Sequence, residues 1–334
     1  MSYIYEKKIG EKSYYYLRIS FREGKRVIAK DIAYLGNNIE EIKENLEKIP
    51  TKYKEEIRKG YKNIRKFLES NKYLEKIKNK KIKHNDFFKR IDQIEVEACK
   101  LHWDKKFNKL DELTKKEILD NFIIEFSYNT TSIEGNTISL KEARNILAES
   151  ITPKNKKLRE VYDLENTKKT FEFIINNKKK NLSHDFIIKI HSLLMSNIDQ
   201  RTGYRTRDVS ILGSRFDSSP FQYVKIDMDL LLDWYNKNKK LHPLVLSTLF
   251  HHKFEKIHPF MDGNGRTGRM ILNYILIKNK YPPLIIRRKR RIEYLKALHE
   301  ADKCNLKDSD KDYYSSLIKF VSEEIINNYW NLFL

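Results

Sequence analysis

The chain has 334 residues, of which 40% are hydrophobic and 12% aromatic, enough to bury a core in more than one domain. Its 67 Lys and Arg residues against 46 Asp and Glu give a formal charge of +21, so a polyanion such as nucleic acid is an open partner. Two distant cysteines, Cys99 and Cys304, argue against a disulfide framework or a cysteine zinc site, and the lack of a secretory or membrane-spanning apolar run predicts a cytoplasmic protein.

Residues 1–37 predict a small β-meander. The runs YIYEKKI, SYYYLRISF and RVIAKDIAYLG are rich in tyrosine and β-branched residues and are separated by turn residues. Residues 38–85 predict a charged helical connector, because apolar residues such as Ile57, Tyr61 and Ile64 recur at three- and four-residue spacing. A basic arm that binds nucleic acid is the alternative for this region, although solvated helix faces are the commoner source of such charge runs.

From residue 86 onward the chain predicts helices, grouped as 86–150, a core at 151–290 and C-terminal helices at 291–334. Ser183 is a candidate N-cap, Pro243 opens a helix, and another helix runs from about Asn264 toward the prolines at 282–283. One interruption is expected within the core. Residues 203–226 alternate apolar and polar side chains on either side of a Gly/Ser/Asp/Pro turn, which predicts a β-hairpin.

The stretch HPFMDGNGRTGRM, residues 258–270, carries the strongest chemical signal. Gly263, Asn264 and Gly265 lead directly into a helix, so their amides and the positive helix end predict an anion-binding nest. Arg266 and Arg269 are three apart, so both guanidinium groups share one side of that helix and suit phosphate oxygens. The spacing predicts a site for a nucleotide's phosphates.

Two further residues of this stretch supply chemistry. Asp262 offers a hard oxygen ligand for Mg²⁺, which a polyphosphate site holds with one or two carboxylates. His258 closes the preceding helix and is a candidate general base, since its ordinary pKa lies near neutrality. The P-loop and the dinucleotide fingerprint are absent from the sequence. A glycine-rich helix start with a core histidine is the structural alternative.

HPFMDGNGRTGR resembles the signature of the Fic family, HPFx(D/E)GNGRxxR, at every fixed position. The resemblance implies a mainly α fold: a Fic-type helical core with the signature between two helices and a β-hairpin flap, here with the N-terminal β-meander and helical connector added. It also implies an activity, the transfer of AMP from Mg-ATP to a Ser, Thr or Tyr hydroxyl of a target protein with release of pyrophosphate. Membership of the family predicts ATP as the substrate and Mg²⁺ as the cofactor.

The resemblance also assigns roles. His258 is expected to deprotonate the target hydroxyl, Asp262 to hold Mg²⁺, and Arg269 to bind the γ-phosphate. The amides from Gly263 to Gly265, Asn264 and Arg266 are expected to contact the remaining phosphates.

A second motif, TTSIEGN, resembles the family's inhibitory motif, (S/T)xxxE(G/N). Thr130 takes the hydroxyl position, Glu134 the glutamate and Gly135 the residue after it. The resemblance places this chain in the self-inhibited class, in which Glu134 pairs with Arg269 and keeps that arginine from the γ-phosphate.

The predicted hairpin at 208–226 resembles the family's flap, on which a target segment docks by strand addition. Ile211 is expected to contact the adenine. Asp302 stands where some relatives place an asparagine near the adenine, and is the other candidate there.

Alternatives stay open on the same residues. The chain could remove AMP instead of adding it, or transfer another nucleotide from the same site. A different class is a nucleic-acid-binding module formed by the basic N-terminal region, with the run RRKRR at 287–291 as a second basic feature. The sequence leaves open whether the protein is a homodimer, and it predicts no membrane partner.

Overall fold

The computed structural model describes residues 2–80, 82–209 and 218–334. These residues form thirteen α-helices and one small sheet, so the predicted mainly α fold with an N-terminal β-meander is confirmed. The chain divides into two compact units. One consists of Met1–Ile82 with Glu97–Leu101 and Leu334, and the other of Lys83–Val96 with His102–Phe333. The five-segment domain division made from the sequence stays a prediction.

The first unit is a three-stranded antiparallel sheet with helices against one face. Its strands, in the spatial order of the chain, are β1 (Ser2–Ile9), β2 (Lys12–Glu23) and β3 (Arg26–Gly36). Gly10 and Gly24 both adopt φ +60° in the two connections, a conformation that glycine tolerates without a Cβ clash. The connector is helical as predicted, with α1 (Ile39–Glu47), α2 (Lys54–Lys59) and α3 (Tyr61–Lys78).

The remaining helices belong to the second unit, except for the middle of the first of them. They are α4 (Arg90–Lys105), α5 (Glu112–Ile133), α6 (Leu140–Glu149), α7 (Leu158–Asn176), α8 (His184–Leu194), α9 (Val224–Lys237), α10 (Pro243–Ile257), α11 (Asn264–Lys278), α12 (Arg291–Ala301) and α13 (Lys311–Leu332). The middle of α4, Glu97–Leu101, belongs to the first unit. The predicted starts are confirmed, since Ser183 accepts a hydrogen bond from the Phe186 amide and Pro243 is the first residue of α10.

Helices α10 and α11 lie at the centre of the second unit. They pack against each other, and α10 also contacts α9 and α13. Leu244, Leu249, Leu272 and Leu276 are fully buried in one apolar cluster that includes residues of both helices. Because both helices are buried for most of their length, the loop between them has a rigid support on each side.

The predicted hairpin at 208–226 is wrong in its second half. Phe221–Tyr223 form one turn of 3-10 helix, and Val224 begins α9. The alternation of Phe221 and Tyr223 predicts a strand, but Val224, Met228 and Leu231 form the buried face of a helix. Residues 210–217, the predicted hairpin turn with Ile211, lie outside the described residues.

Each helix in the described part of the chain is too short or too polar to cross a bilayer.

Candidate active site

The loop between α10 and α11 is bounded by two left-handed residues. His258 caps the end of α10 with φ +53°, and Pro259 prevents the helix from continuing. Gly263 adopts φ +78° at the start of α11. A Cβ at Gly263 would lie 2.7 Å from the sulfur of Met195, so both the conformation and the space require glycine.

Asn264 fixes the shape of this loop. Its Oδ1 accepts a hydrogen bond from the Phe260 amide at 2.8 Å, and its Nδ2 donates to the Phe260 carbonyl at 2.8 Å. Its side chain is therefore occupied in holding the turn together. The family resemblance implies that Asn264 contacts the α-phosphate region, and this contact stays a prediction. Because the side-chain amide is engaged with Phe260, the backbone amide of Asn264 is the group that could make it.

A buried histidine supports the loop from α8. The His191 ring stacks on Phe260 with centroids 3.7 Å apart, and its Nε2 lies 3.0 Å from the Asp262 carbonyl oxygen. Burial lowers the pKa of His191 to about 4, so the ring is neutral and donates to that carbonyl. The sequence did not predict this role for His191, because a histidine within an apolar helix is usually a core residue.

His258 has a lower basicity than its residue type suggests. Burial is the largest cause and, with the positive charge of Arg205, lowers its pKa to about 4, although a hydrogen bond to the Glu255 carbonyl acts in the opposite direction. The imidazole is therefore neutral at neutral pH and has a nitrogen lone pair that can accept a proton.

Arg205 is a second residue that sequence reasoning missed. Its side chain is fully buried, and its guanidinium group donates to the His258 carbonyl at 2.8 Å, the Arg207 carbonyl at 3.1 Å and the Ser219 carbonyl. Its own amide donates to the Pro259 carbonyl at 2.9 Å. The Arg205 guanidinium group thereby links the loop that carries His258 to Arg207 and Ser219, which lie before and after residues 210–217 in the chain.

The acidic and basic groups at the start of α11 form a connected set. Arg266 makes an ion pair with Asp163 of α7 and lies 3.5 Å from Asp262. The other carboxylate oxygen of Asp262 lies 2.5 Å from Nη2 of Arg159. Burial would raise the pKa of Asp262, but the charge of Arg266, a hydrogen bond from the Gly263 amide and the charge of Arg159 lower it. Asp262 is therefore ionised.

The same residues fit an anion and a divalent cation. The first amides of α11 lack partners within the helix, and the positive helix end favours phosphate. Asp262 is 40% exposed, so its carboxylate is accessible to a metal ion. Within the described ranges no cluster of three or more His, Cys, Asp or Glu side chains could hold a metal alone. A single carboxylate suits Mg²⁺ that arrives with a nucleotide, whose phosphates complete the coordination.

Arg269 is buried one turn into α11 and is held by residues of α5. Its Nη2 lies 2.6 Å from Oε1 of Glu134 and donates to the Thr130 carbonyl at 3.0 Å. Its Nε donates to the Thr130 hydroxyl at 2.8 Å. The structure therefore brings Arg269 into contact with Glu134, the partner predicted from the sequence, and also with Thr130 of the same motif.

Glu134 sits at the end of α5 and reaches toward the first turn of α11. The next residue, Gly135, adopts φ +102° and turns the chain away. A Cβ at Gly265 would lie 2.3 Å from Oε1 of Glu134, so this glycine of the predicted phosphate nest leaves the space that the carboxylate occupies. Burial would raise the pKa of Glu134, but the charge and hydrogen bond of Arg269 lower it, and the same pairing raises the pKa of Arg269.

A second carboxyl group, Glu255, lies beside this pair. Burial raises its pKa to about 8, and among the described residues its Oε1 has no hydrogen-bond partner. His251 lies 3.8 Å away and binds the Tyr294 hydroxyl at 2.6 Å through its other ring nitrogen. A Cβ at Gly268 would lie 2.3 Å from Glu255, which explains that glycine within a helix.

The other predicted residues have different positions. Asp302 caps α12 and lies 3.0 Å from Nε2 of His252, so its carboxylate is engaged within the helical core. Its predicted adenine contact stays a prediction. Ile211 lies outside the described residues. In the run RRKRR, Arg290 pairs with Glu293, Glu323 and Glu324, and Arg291 donates to the Ile133 carbonyl.

The sequence and the fold are similar to those of known proteins. The Fic/DOC family model matches residues 181–276. This range contains α8, α9, α10 and most of α11. The chain is 28% identical over 240 residues to protein adenylyltransferase fic-1 of Caenorhabditis elegans, covering 67% of this chain and 47% of that protein. It is 29% identical over 220 residues to protein adenylyltransferase Fic of Nematostella vectensis, covering 64% and 52%. The chain thus spans about half the length of these curated relatives.

Solved structures share the fold. A Fic domain containing signaling protein from Bacteroides thetaiotaomicron superposes with a TM-score of 0.65 at 25% identity, covering 70% of this chain and 94% of that one. Fic-1 from Caenorhabditis elegans superposes with a TM-score of 0.61 at 26% identity, covering 72% of each chain.

Proposed function

Because this chain belongs to the Fic/DOC family, we propose that it is a protein adenylyltransferase inhibited by its own Glu134. The proposal rests mainly on one observation: His258, Asp262 and Arg266 converge on the N-terminal end of α11, where the nearby Arg269 is held by Glu134 at 2.6 Å. A base, a hard carboxylate and two arginines at a helix N-terminus are the groups that phosphorus transfer needs. The relatives named protein adenylyltransferase support this reaction for the present chain.

The nucleotide binds with its phosphates at the first turn of α11. The amides of Gly263, Asn264 and Gly265 donate to phosphate oxygens, and Arg266 adds its positive charge. Arg269 binds the γ-phosphate once Glu134 has left it. Ile211 and Asp302 stay candidates for the adenine.

In the transfer step, a hydroxyl oxygen of the target protein attacks the α-phosphorus of ATP. His258 takes the hydroxyl proton, a bond from oxygen to phosphorus forms, and the bond to the leaving pyrophosphate breaks. His258 is neutral at the start, which a proton acceptor requires. Arg205 donates to the His258 carbonyl and so restrains the backbone that carries the imidazole.

Asp262 is the residue that would hold Mg²⁺, which neutralises charge on the phosphates when it is bound. The exposed Arg159 now occupies one oxygen of Asp262 and would have to release it. Because that arginine is 58% exposed, the exchange costs little.

Inhibition follows from the competition for Arg269. While Glu134 is paired, a γ-phosphate at this position would meet a carboxylate instead of a cation, and two anions would share one site. ATP then binds weakly or in an orientation that cannot react. Thr130 strengthens this arrangement, because its hydroxyl and carbonyl orient the guanidinium group toward Glu134.

The reaction type can be tested by intact mass. Glu134→Gly protein is incubated with ATP, UTP or GTP and Mg²⁺, beside the Glu134→Gly/His258→Ala double variant as the control. We expect the single variant to gain the mass of one AMP from ATP, and the double variant to gain none. Gain from another nucleotide alone would make the chain a different nucleotidyltransferase. Equal gain in both variants would exclude His258 as the base. If native protein removes AMP from the modified variant, the chain also catalyses the reverse process.

A further inference from the structure

The sheet of the first unit has a row of tyrosines across its three strands. Tyr5 of β1 pairs directly with Tyr16 of β2, and Tyr16 pairs with Tyr34 of β3. The ring centroids of Tyr16 and Tyr34 are 5.4 Å apart, and that of Tyr14 is 6.4 Å from Tyr34. We call the surface formed by Tyr5, Tyr14, Tyr16, Tyr34 and Arg18 the tyrosine face.

The tyrosine face is the side of the sheet that the core does not use. Successive side chains of a strand point to opposite faces, so Ile4, Leu17 and Leu35 point away from these tyrosines. Those three residues are buried in a cluster with Ile39 of α1 and other apolar residues of the unit. Tyr34 is 48% exposed. The four tyrosines are therefore not part of the buried apolar cluster, and their rings lie on the opposite face of the sheet.

The face carries the two cations Arg18 and Lys7 against one anion, Asp31, so its net charge is positive. The Arg18 guanidinium group lies over the Tyr5 ring at 3.4 Å and pairs with Asp31 at 2.6 Å. Lys7 stands opposite Tyr14 in the register of the sheet. Residues 1–82 carry 22 Lys and Arg against 12 Asp and Glu, so the whole unit attracts polyanions.

We propose that the tyrosine face binds single-stranded nucleic acid. Unpaired bases stack on aromatic rings whatever their sequence, and surrounding Lys and Arg neutralise the phosphates. A sheet that carries aromatic side chains on neighbouring strands, as Tyr5, Tyr16 and Tyr34 do here, offers several rings on which bases can stack. An acidic peptide would satisfy the charge but would leave the row of rings without a planar partner. The proposal is independent of the adenylyltransferase function.

The test uses the full chain and fluorescently labelled strands of about 12 nucleotides, oligouridylate and oligothymidylate, read by fluorescence anisotropy. We expect each of Tyr16→Ala and Tyr34→Ala to weaken binding by about 5- to 150-fold, since one stacked base contributes about 1–3 kcal/mol. Tyr34→Phe keeps the ring and should bind within about 2-fold of native protein. Tyr61→Ala removes a tyrosine that is 57% exposed on α3, and is the matched control.

Three results would overturn the proposal. The first is no binding of either strand at low salt. The second is an equal loss in Tyr61→Ala and Tyr34→Ala, which would point to general charge attraction. The third is duplex DNA bound as tightly as single strands and unaffected by Tyr16→Ala, which would make the phosphates the only contact. Circular dichroism and thermal melting check that each variant is folded, and Tyr16→Ala and Tyr34→Ala each test the proposal if the other unfolds.

Discussion

Glu134 and Arg269 are 135 residues apart in the chain and make a 2.6 Å ion pair at the first turns of α11. The Arg269 side chain is buried, which is costly for an unpaired charge. The Glu134 carboxylate offsets part of that cost by pairing with the guanidinium group. The glutamate approaches so closely that Gly265, part of the proposed phosphate site, has no room for a Cβ. The proposed phosphate site and its proposed inhibitor therefore share the residues at the start of α11.

This proximity predicts that the effects of two substitutions are not additive. Gly265→Ala should destabilise the native protein by about 1–3 kcal/mol, because its Cβ would overlap Glu134. In the Glu134→Gly background the cost should fall by at least about 1 kcal/mol, since of the three atoms nearest to that Cβ only Nη1 of Arg269, at 3.0 Å, remains and alanine favours the helix. Urea unfolding of the four proteins measures the coupling. Equal effects in both backgrounds would show that Glu134 does not occupy the space above Gly265.

Arg205 is expected to be a positioning residue for His258. Arg205→Lys keeps the charge but cannot reach the His258, Arg207 and Ser219 carbonyls together. In the Glu134→Gly background we expect kcat for AMP transfer to fall by about 10- to 100-fold, because small displacements of a base are costly. Calorimetric ATP affinity should change little. If the ATP affinity falls in parallel with kcat, Arg205 acts through nucleotide binding and not through His258.

Glu255 predicts a measurable pH effect on stability. Its folded pKa of about 8 lies above the ordinary carboxyl value, so it favours folding below pH 4.5 and this contribution is lost as the pH rises toward 8. Glu255→Gln does not titrate. Its free energy of unfolding should therefore rise relative to native protein by about 2–4 kcal/mol between pH 5 and pH 8. A constant difference across this range would mean that Glu255 is ionised in the folded protein.

Arg159 predicts a change in Mg²⁺ requirement. It is 58% exposed and occupies one oxygen of Asp262, so Arg159→Ala should lower the Mg²⁺ concentration for half-maximal AMP transfer by about 3-fold. Lys169→Ala, which removes another exposed cation of α7 paired with a carboxylate, Glu165, is the control and should have no effect. A Mg²⁺ requirement that is unchanged or higher in Arg159→Ala would contradict competition at Asp262.

The helices and the central site were predictable because their signals are local. Ser183 and Pro243 mark helix starts by their own chemistry, and the spacing of residues 258–269 places two arginines on one side of α11. The pairing of Glu134 with Arg269 is a long-range contact, and it was predicted only because both motifs resemble those of one family. Spacing alone carries no information on residues 135 positions apart.

The residues that were missed are defined by tertiary contacts. Arg205 and His191 differ from ordinary core or surface residues only in the carbonyl groups that they reach. The pKa of about 4 for His258 was also not predictable, because burial is the main cause of its shift. The strand predicted at 221–226 is wrong because the alternation is confined to Phe221 and Tyr223. From Val224 onward the buried residues follow the helical spacing of α9.

The most direct test of self-inhibition is the initial rate of AMP incorporation from labelled ATP into native protein and the Glu134→Gly variant, with ATP affinity measured on both. We expect the variant to incorporate AMP at least about 10-fold faster, which corresponds to about 1.4 kcal/mol released when Arg269 becomes available to the γ-phosphate. An unchanged or lower rate in the variant, with ATP binding intact, would contradict the proposed inhibition by Glu134.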